Sequence, residues 1–214
     1  MSGASLLKWM NLTPKKKFFD YSEEERVELT RKAIKNRETQ MLRWDKIERE
    51  KDLKGWIPRS VKAARYFDQC DSVVDLGCGT MFLERYLKPE TKYIPVDIAR
   101  RDKRTILVDL NREPLPILTA GGIAGLGLLG YLFDVPGLIK LCADRYRFAV
   151  FSYNAVDMPG AHPNRLANAW VNAYSSSDLE AIFTEHGFQI LDRHALDQSQ
   201  LLWHLHGRGS LQDF

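Results

Sequence analysis

Asp75, Gly77 and Gly79 alternate in the stretch Asp75-Leu76-Gly77-Cys78-Gly79, and these residue types at this spacing suit the binding of an adenosine-bearing ligand. The apolar pair Val73-Val74 precedes the acid, and Phe82, Leu83, Tyr86 and Leu87 follow at helix-face spacing. The pattern predicts a buried strand, a tight turn and the start of a helix. Glycines let the backbone pass close to a ligand, and a helix N-terminus behind them offers free N–H groups. The dinucleotide fingerprint places a third glycine three residues after the second, where this chain has Phe82, which argues against a nicotinamide. Asp97 follows Gly77 by 20 residues, a distance at which a carboxylate on the neighbouring strand can accept hydrogen bonds from ribose hydroxyls.

The elements that must position these residues follow the same rhythm. Lys92 to Ile98 reads as a second strand closed by Asp97, and Thr105 to Asn111 as a third containing Asp109. Ile123 to Leu129 is an apolar fourth strand, Leu138 to Tyr146 a helix, and Phe148 to Tyr153 a fifth strand. Ser177 is placed to cap a helix over Asp178–His186 that Gly187 ends. Phe188–Leu191 and Gln200–Leu205 read as two closing strands. The expected fold is α/β, a Rossmann-like doubly wound sheet of seven strands with an N-terminal helical extension. Its division is a tail and amphipathic helix over residues 1–55, then a ligand-binding domain over 56–214.

The acid-glycine-glycine turn resembles the first motif of the class I S-adenosylmethionine-dependent methyltransferases, which commonly have a further glycine where this chain has Met81. The turn at Leu128-Leu129-Gly130-Tyr131 is similar to a leucine-glutamate-tyrosine turn of small methyltransferases, with Gly130 in place of the acid. The resemblance covers about residues 61–207. It implies S-adenosylmethionine as cofactor. The residues that would hold it are Asp75, Gly77, Cys78, Gly79, Asp97, Ile98, Asp109, Leu110 and Leu129.

Methyl transfer from a sulfonium asks for position above all. A base is needed only where the acceptor must lose a proton. Candidates after strands four and five are Tyr131, Tyr153, Asn154, Asp157 and His162. His162, which has the side chain that titrates near neutral pH, and Tyr153 are the catalytic candidates; His162 beside Pro163 also reads as a surface loop residue. The uncharged stretch Trp170-Val171-Asn172-Ala173-Tyr174 suits a pocket wall for a glycan or a planar small molecule. The acceptor is expected to be a small molecule or a glycan, methylated on oxygen; no Asn-Pro-Pro-Tyr-type motif follows the fourth strand, which argues against N-methylation of adenine or glutamine.

The net charge of +3 is too small to imply a nucleic-acid partner. The three cysteines form no metal-type spacing and no paired set, so the reading carries no metal and points to a reducing cytoplasm. Leu115 to Phe133 has no charge over 19 residues, long enough for a membrane span. Pro116 interrupts it, however, and it falls where the sheet needs its central strand. Ser22 and Glu25 form a capping box for an amphipathic helix reaching to about Asp52, with Val27, Ile34, Met41, Trp44 and Ile47 as its apolar stripe. That stripe suits the chain's own domain or a second copy, as a homodimer. The competing function is a non-catalytic methyltransferase-fold scaffold acting through this helix.

Overall fold

The computed structural model describes residues 16–44 and 55–209. Its strands are β1 (Ser72–Leu76), β2 (Lys92–Asp97), β3 (Ile106–Leu107), β4 (Gly122–Leu126), β5 (Phe148–Tyr153), β6 (Gln189–Ala195) and β7 (Leu201–His206). They form one sheet in the order β3-β2-β1-β4-β5-β7-β6. β1 is parallel to β2 and β4, β2 to β3, and β4 to β5, whereas β7 runs antiparallel to both β5 and β6. Strand order therefore reverses between β1 and β4, where an open α/β sheet leaves a crevice beyond its strand ends.

Strand alternation sorts the core into two layers. Val74, Leu76, Ile123, Phe151 and Trp203 face one side, against α3 (Val135–Arg145) and α4 (Ser176–Glu185). Val73, Ala124, Val150 and Leu202 face the other, with Ala63, Ala64 and Phe67 from and beside α2 (Ile57–Arg65). Apolar residues on both faces explain why β1, β4 and β5 read as continuous hydrophobic runs. The uncharged stretch after Leu115 contains the whole of β4, and no described helix is long and apolar enough to cross a membrane.

Three expected elements come out shorter. A single 3-10 turn, Glu84–Tyr86, stands where a helix was expected after the glycine turn. Met81 takes a left-handed φ of 57°, which delays any helix, and Pro89 stops one from extending. β3 has two residues because the chain bends at Asp109, whose carbonyl accepts from Arg112 and Glu113 N–H at 2.8 Å each. β4 ends where Gly127 turns to φ +73°. The last helix is capped by Ser175 rather than Ser177, through a capping box with Asp178.

The N-terminal helix, α1 (Glu23–Asn36), opens with the expected Ser22–Glu25 box but stops well before Asp52. Arg37 turns left-handed at φ 52°, and Glu38 N–H reaches back to the Ala33 carbonyl at 2.8 Å, a Schellman-type end. Met41 and Trp44 consequently leave the Val27–Ile34 face. Ile47 and Asp52 lie outside the described residues. α1 docks on the chain's own Leu166–Asn168 turn: Thr30 Oγ1 donates to Leu166 O at 2.8 Å and Arg26 Nε to Ala167 O at 2.9 Å. Thr30 is fully buried. Thr30→Val would leave that carbonyl unpaired, and the expected cost is about 1–3 kcal/mol, read from urea unfolding.

Candidate functional site

A cavity of about 330 Å³ opens over the strand ends at the β1/β4 reversal. Its floor is Gly77, Gly79, Val96, Asp97 and Ile98, and one side is Val108, Asp109, Leu110 and Asn111. Leu126, Gly127, Leu128 and Tyr131 form the opposite side. Thr39, Arg43, Trp44, Trp56 and Arg59 close it from the N-terminal segment and α2. This cover is bonded in place: Thr39 Oγ1 donates to Asp109 Oδ1 at 2.7 Å, and Trp44 O accepts Arg101 Nη2 at 2.9 Å. The Trp44 ring meets Tyr131 edge-on at 4.7 Å.

Six of the residues expected at the cofactor line this cavity: Gly77, Gly79, Asp97, Ile98, Asp109 and Leu110. Gly77 and Gly79 have φ of 66° and 52°, so both use the freedom only glycine has cheaply. Met81 at φ 57° adopts the same conformation without that freedom, at about 1–2 kcal/mol of strain.

The turn differs from expectation in its hydrogen bonding. Gly77 and Cys78 N–H both bond Val96 O, at 2.8 and 3.1 Å, and Gly79 N–H bonds Asp97 Oδ2 at 2.9 Å. The turn thus offers a close surface but not the free N–H groups that a helix start would have supplied. Asp97 is correspondingly occupied. Its Oδ1 accepts from Ala99 N at 2.9 Å and pairs with Arg101 Nη2 at 3.0 Å. Cys78 Sγ also approaches Oδ2, at 4.0 Å; of the about four acceptor positions of a carboxylate, this weak thiol contact is the one a ribose hydroxyl would displace.

The other expected residues lie off the main cavity. Asp75 is buried beneath the turn, beside a second space of about 30 Å³ that Cys78 and Thr80 also line. Tyr93 Oη donates to Asp75 Oδ2 at 2.6 Å. Burial pushes the Asp75 carboxyl up to about 7, more than the Tyr93 hydrogen bond and nearby Arg59 pull it down. The Leu129 side chain is fully buried in the core.

Neither catalytic candidate reaches the cavity wall. Tyr153 is 2% exposed. Its hydroxyl donates to Asn172 Oδ1 at 2.8 Å and accepts from Arg165 Nη2 at 2.7 Å and Tyr174 N at 3.0 Å. Saturated in this way, it serves as a post for the loop after β5. His162 is exposed and meets Trp170 edge-on, ring centres 5.9 Å apart; Trp170 lines the cavity and His162 does not. Asp157 is likewise engaged elsewhere, capping Ser176 through two bonds of 2.6–2.9 Å. Tyr131 and Asn154 do line the cavity.

Gly130 has a packing reason. A Cβ there would come within 3.0 Å of Trp170 Cδ1, and Val171 N–H bonds Gly130 O at 2.7 Å. The indole edge fills the room that the expected acid would occupy.

Two arginines were missed by sequence reasoning. Arg59 on α2 packs so closely on Gly127 that a Cβ there would lie 2.5 Å from Arg59 Nη1. Its Nε is buried without a hydrogen-bond partner, and burial pushes the guanidinium down to about 10. Arg43 Nε is also buried and unpartnered, with its guanidinium over the Phe19 and Trp44 rings at 4.6 and 4.2 Å. Periodicity marks helical arginines as surface residues, so nothing in the sequence singled these out.

No protein-family model matches the chain, and no curated protein matches it. Solved structures do. The mitomycin 7-O-methyltransferase MmcR aligns with TM-score 0.63 at 14% identity, over 89% of this chain and 70% of its own. The methyltransferase chain of a complex with the Haloferax volcanii Trm112 methyltransferase activator aligns with TM-score 0.56 at 12% identity, over 75% and 97%. Human N-acetylserotonin methyltransferase, solved with S-adenosylmethionine, gives 0.54 at 16%, over 88% and 57%. The chain therefore has the fold of the class I S-adenosylmethionine-dependent methyltransferases.

Proposed function

We propose that the protein is an S-adenosylmethionine-dependent methyltransferase acting on an oxygen of a small-molecule or glycan acceptor. The observation that carries the reading is the cavity itself. It lies at the strand-order reversal, floored by two left-handed glycines and Asp97, and roofed by the N-terminal segment. The residues fit the cofactor. Gly77 and Gly79 would give room for close approach, Asp97 and Asp109 would hold the ribose, and Ile98, Val108 and Leu110 would pack on the adenine; all of them line the cavity. Arg59, whose buried Nε has no hydrogen-bond partner and which is near but not bonded to Asp75, would hold the carboxylate that the turn's occupied N–H groups cannot.

When bound, the cofactor would supply an electrophilic methyl group on sulfur, which the acceptor oxygen would take in exchange for any proton it carries. The chain's part is to orient the acceptor against Trp44, Tyr131 and Trp170 and to keep water out. The bonded cover made by Thr39 and Trp44 supports that role for the N-terminal segment.

The test is calorimetric titration with S-adenosylhomocysteine. Arg59→Gln is expected to weaken binding by about 10- to 100-fold, the range for a hydrogen bond to a charged group. Binding of NADH with no affinity for S-adenosylmethionine or S-adenosylhomocysteine would overturn the assignment. One observation favours the scaffold as second reading: Asp97 already pairs with Arg101. In that reading S-adenosylhomocysteine does not bind and Arg101 never releases the carboxylate.

A further inference from the structure

The cavity is electrically divided. Its strand-end acids already have partners: Asp97 pairs with Arg101 at 3.0 Å, and Asp109 accepts from Thr39 and lies 3.9 Å from Arg112. Asp197, on the rim, spends Oδ1 on Ser199 and Gln200. Two of its cations are less well matched: Arg59 has only the attraction of the buried Asp75, itself shifted toward the neutral form, and Arg43 has no acid beside it. Among the described residues neither Arg43 nor Arg59 forms an ion pair, and each buries an unpartnered Nε. Tyr131, which lines the same cavity, is the neutral hydrogen-bonding neighbour of Arg43 and lies near Arg59 and Arg165.

Burying cationic groups without counter-charge is costly. If Arg59 takes a carboxylate of the cofactor, Arg43 is still without an anion. Arg165, the third guanidinium on this side, is held in place by Asn172 O, Asn154 O and Tyr153 Oη. The wall around Arg43 is flat and aromatic, with Trp44, Tyr131 and Trp170. A cationic sulfonium in the same space would add to the excess of positive charge.

We propose that the acceptor enters as a planar organic anion, its negative oxygen held by Arg43 beside the Tyr131 hydroxyl and its ring against Trp44 and Trp170. The inference rests on the methyltransferase reading for what happens next, but not for the binding itself. The guanidinium favours the ionised oxygen, whether a carboxylate or a phenolate. The acceptor's proton is then lost to solvent before binding, and the cavity needs no general base. That accounts for a site whose lining does not include His162 and in which Tyr153 is saturated. A neutral sugar hydroxyl would gain nothing from Arg43, so the proposal narrows the acceptor away from an uncharged glycan.

The experiment measures binding of benzoate, its neutral counterpart benzamide, and 4-nitrophenolate to the full chain, with and without saturating S-adenosylhomocysteine. Benzoate or 4-nitrophenolate is expected to bind about 10- to 100-fold more tightly than benzamide. Which of the two binds more tightly separates carboxylate from phenolate. Arg43→Gln is expected to bring the ratio near one, and Arg43→Lys to restore part of it as a point charge. Equal affinity for anion and amide in the unmodified protein would overturn the proposal, as would a ratio that survives Arg43→Gln. If S-adenosylhomocysteine fails to bind while the anion preference follows Arg43, the methyltransferase reading falls and the anion site stands. The reverse pattern removes the anion site alone.

Discussion

Between about pH 4 and pH 8 the protein is expected to lose on the order of 4 kcal/mol of stability through one buried carboxyl, and Asp75→Asn is expected to remove that loss. The ordinary carboxyl value is 3.8, and burial carries Asp75 to about 7 in the folded chain. In that interval the native state holds a proton that the unfolded chain has released. Stability therefore falls as pH rises through the window and is level above it, where both states are ionised. His204 works in the opposite sense. Burial holds its imidazole below the usual value, so its contribution is lost as pH falls. Comparing the variant with the parent isolates Asp75 from this opposing trend. Urea unfolding across the pH range gives the answer, and parallel pH curves for parent and variant would show that Asp75 ionises freely in the fold. Asparagine keeps an oxygen for the Tyr93 hydroxyl, now 2.6 Å from the carboxylate, so the hydrogen bond is not what the comparison removes.

Asp75 also marks how far the sequence could be read. Its place at the end of a buried strand follows from Val73-Val74 before it and Gly77 after it, and the structure confirms that strand. The same local logic located β2, β4, β5, α3 and α4 within a few residues. Each depends on periodicity and on punctuation by Gly, Pro or a capping serine. It failed where one residue's backbone state mattered. Met81 and Arg37 are left-handed without being glycine, and each ends or prevents a helix that side-chain spacing alone would continue. It failed again where hydrogen bonds close over distance. The occupied N–H groups of the glycine turn depend on Val96 and Asp97 on the next strand. Tyr153 looked like a free hydroxyl because Arg165, Asn172 and Tyr174 converge on it only through the fold. Arg43 and Arg59 are the same case reversed: charged residues that sequence assigns to solvent, whose buried nitrogens become visible only once the cavity is closed.

Asn172→Ala is expected to destabilise the protein by about 2–4 kcal/mol, because one amide serves three buried partners at once. Its Nδ2 donates to Leu129 O at 2.8 Å and Leu132 O at 2.9 Å, and its Oδ1 accepts from Tyr153 Oη at 2.8 Å. Alanine leaves the Leu132 carbonyl unmatched and takes away the acceptor of the buried Tyr153 hydroxyl, while the Leu129 carbonyl is left with only the long Leu132 N–H bond of 3.3 Å. The loss reaches the site, since the two carbonyls bracket the Leu129–Tyr131 turn that presents Tyr131. That turn keeps other ties: Val171 N–H to Gly130 O at 2.7 Å and Asn111 Nδ2 to Tyr131 O at 2.9 Å. It should therefore loosen rather than unfold, with faster amide exchange at Leu132, whose N–H bonds Leu129 O at 3.3 Å. Asn172→Asp keeps an acceptor for Tyr153 but sets a carboxylate against two carbonyls, and should cost as much as alanine. Because the damage is confined to the acceptor side, S-adenosylhomocysteine affinity should fall less than the affinity for a planar anion beside Tyr131. A cost below about 1 kcal/mol in urea unfolding would show that water replaces the amide and that Asn172 does not fasten the turn.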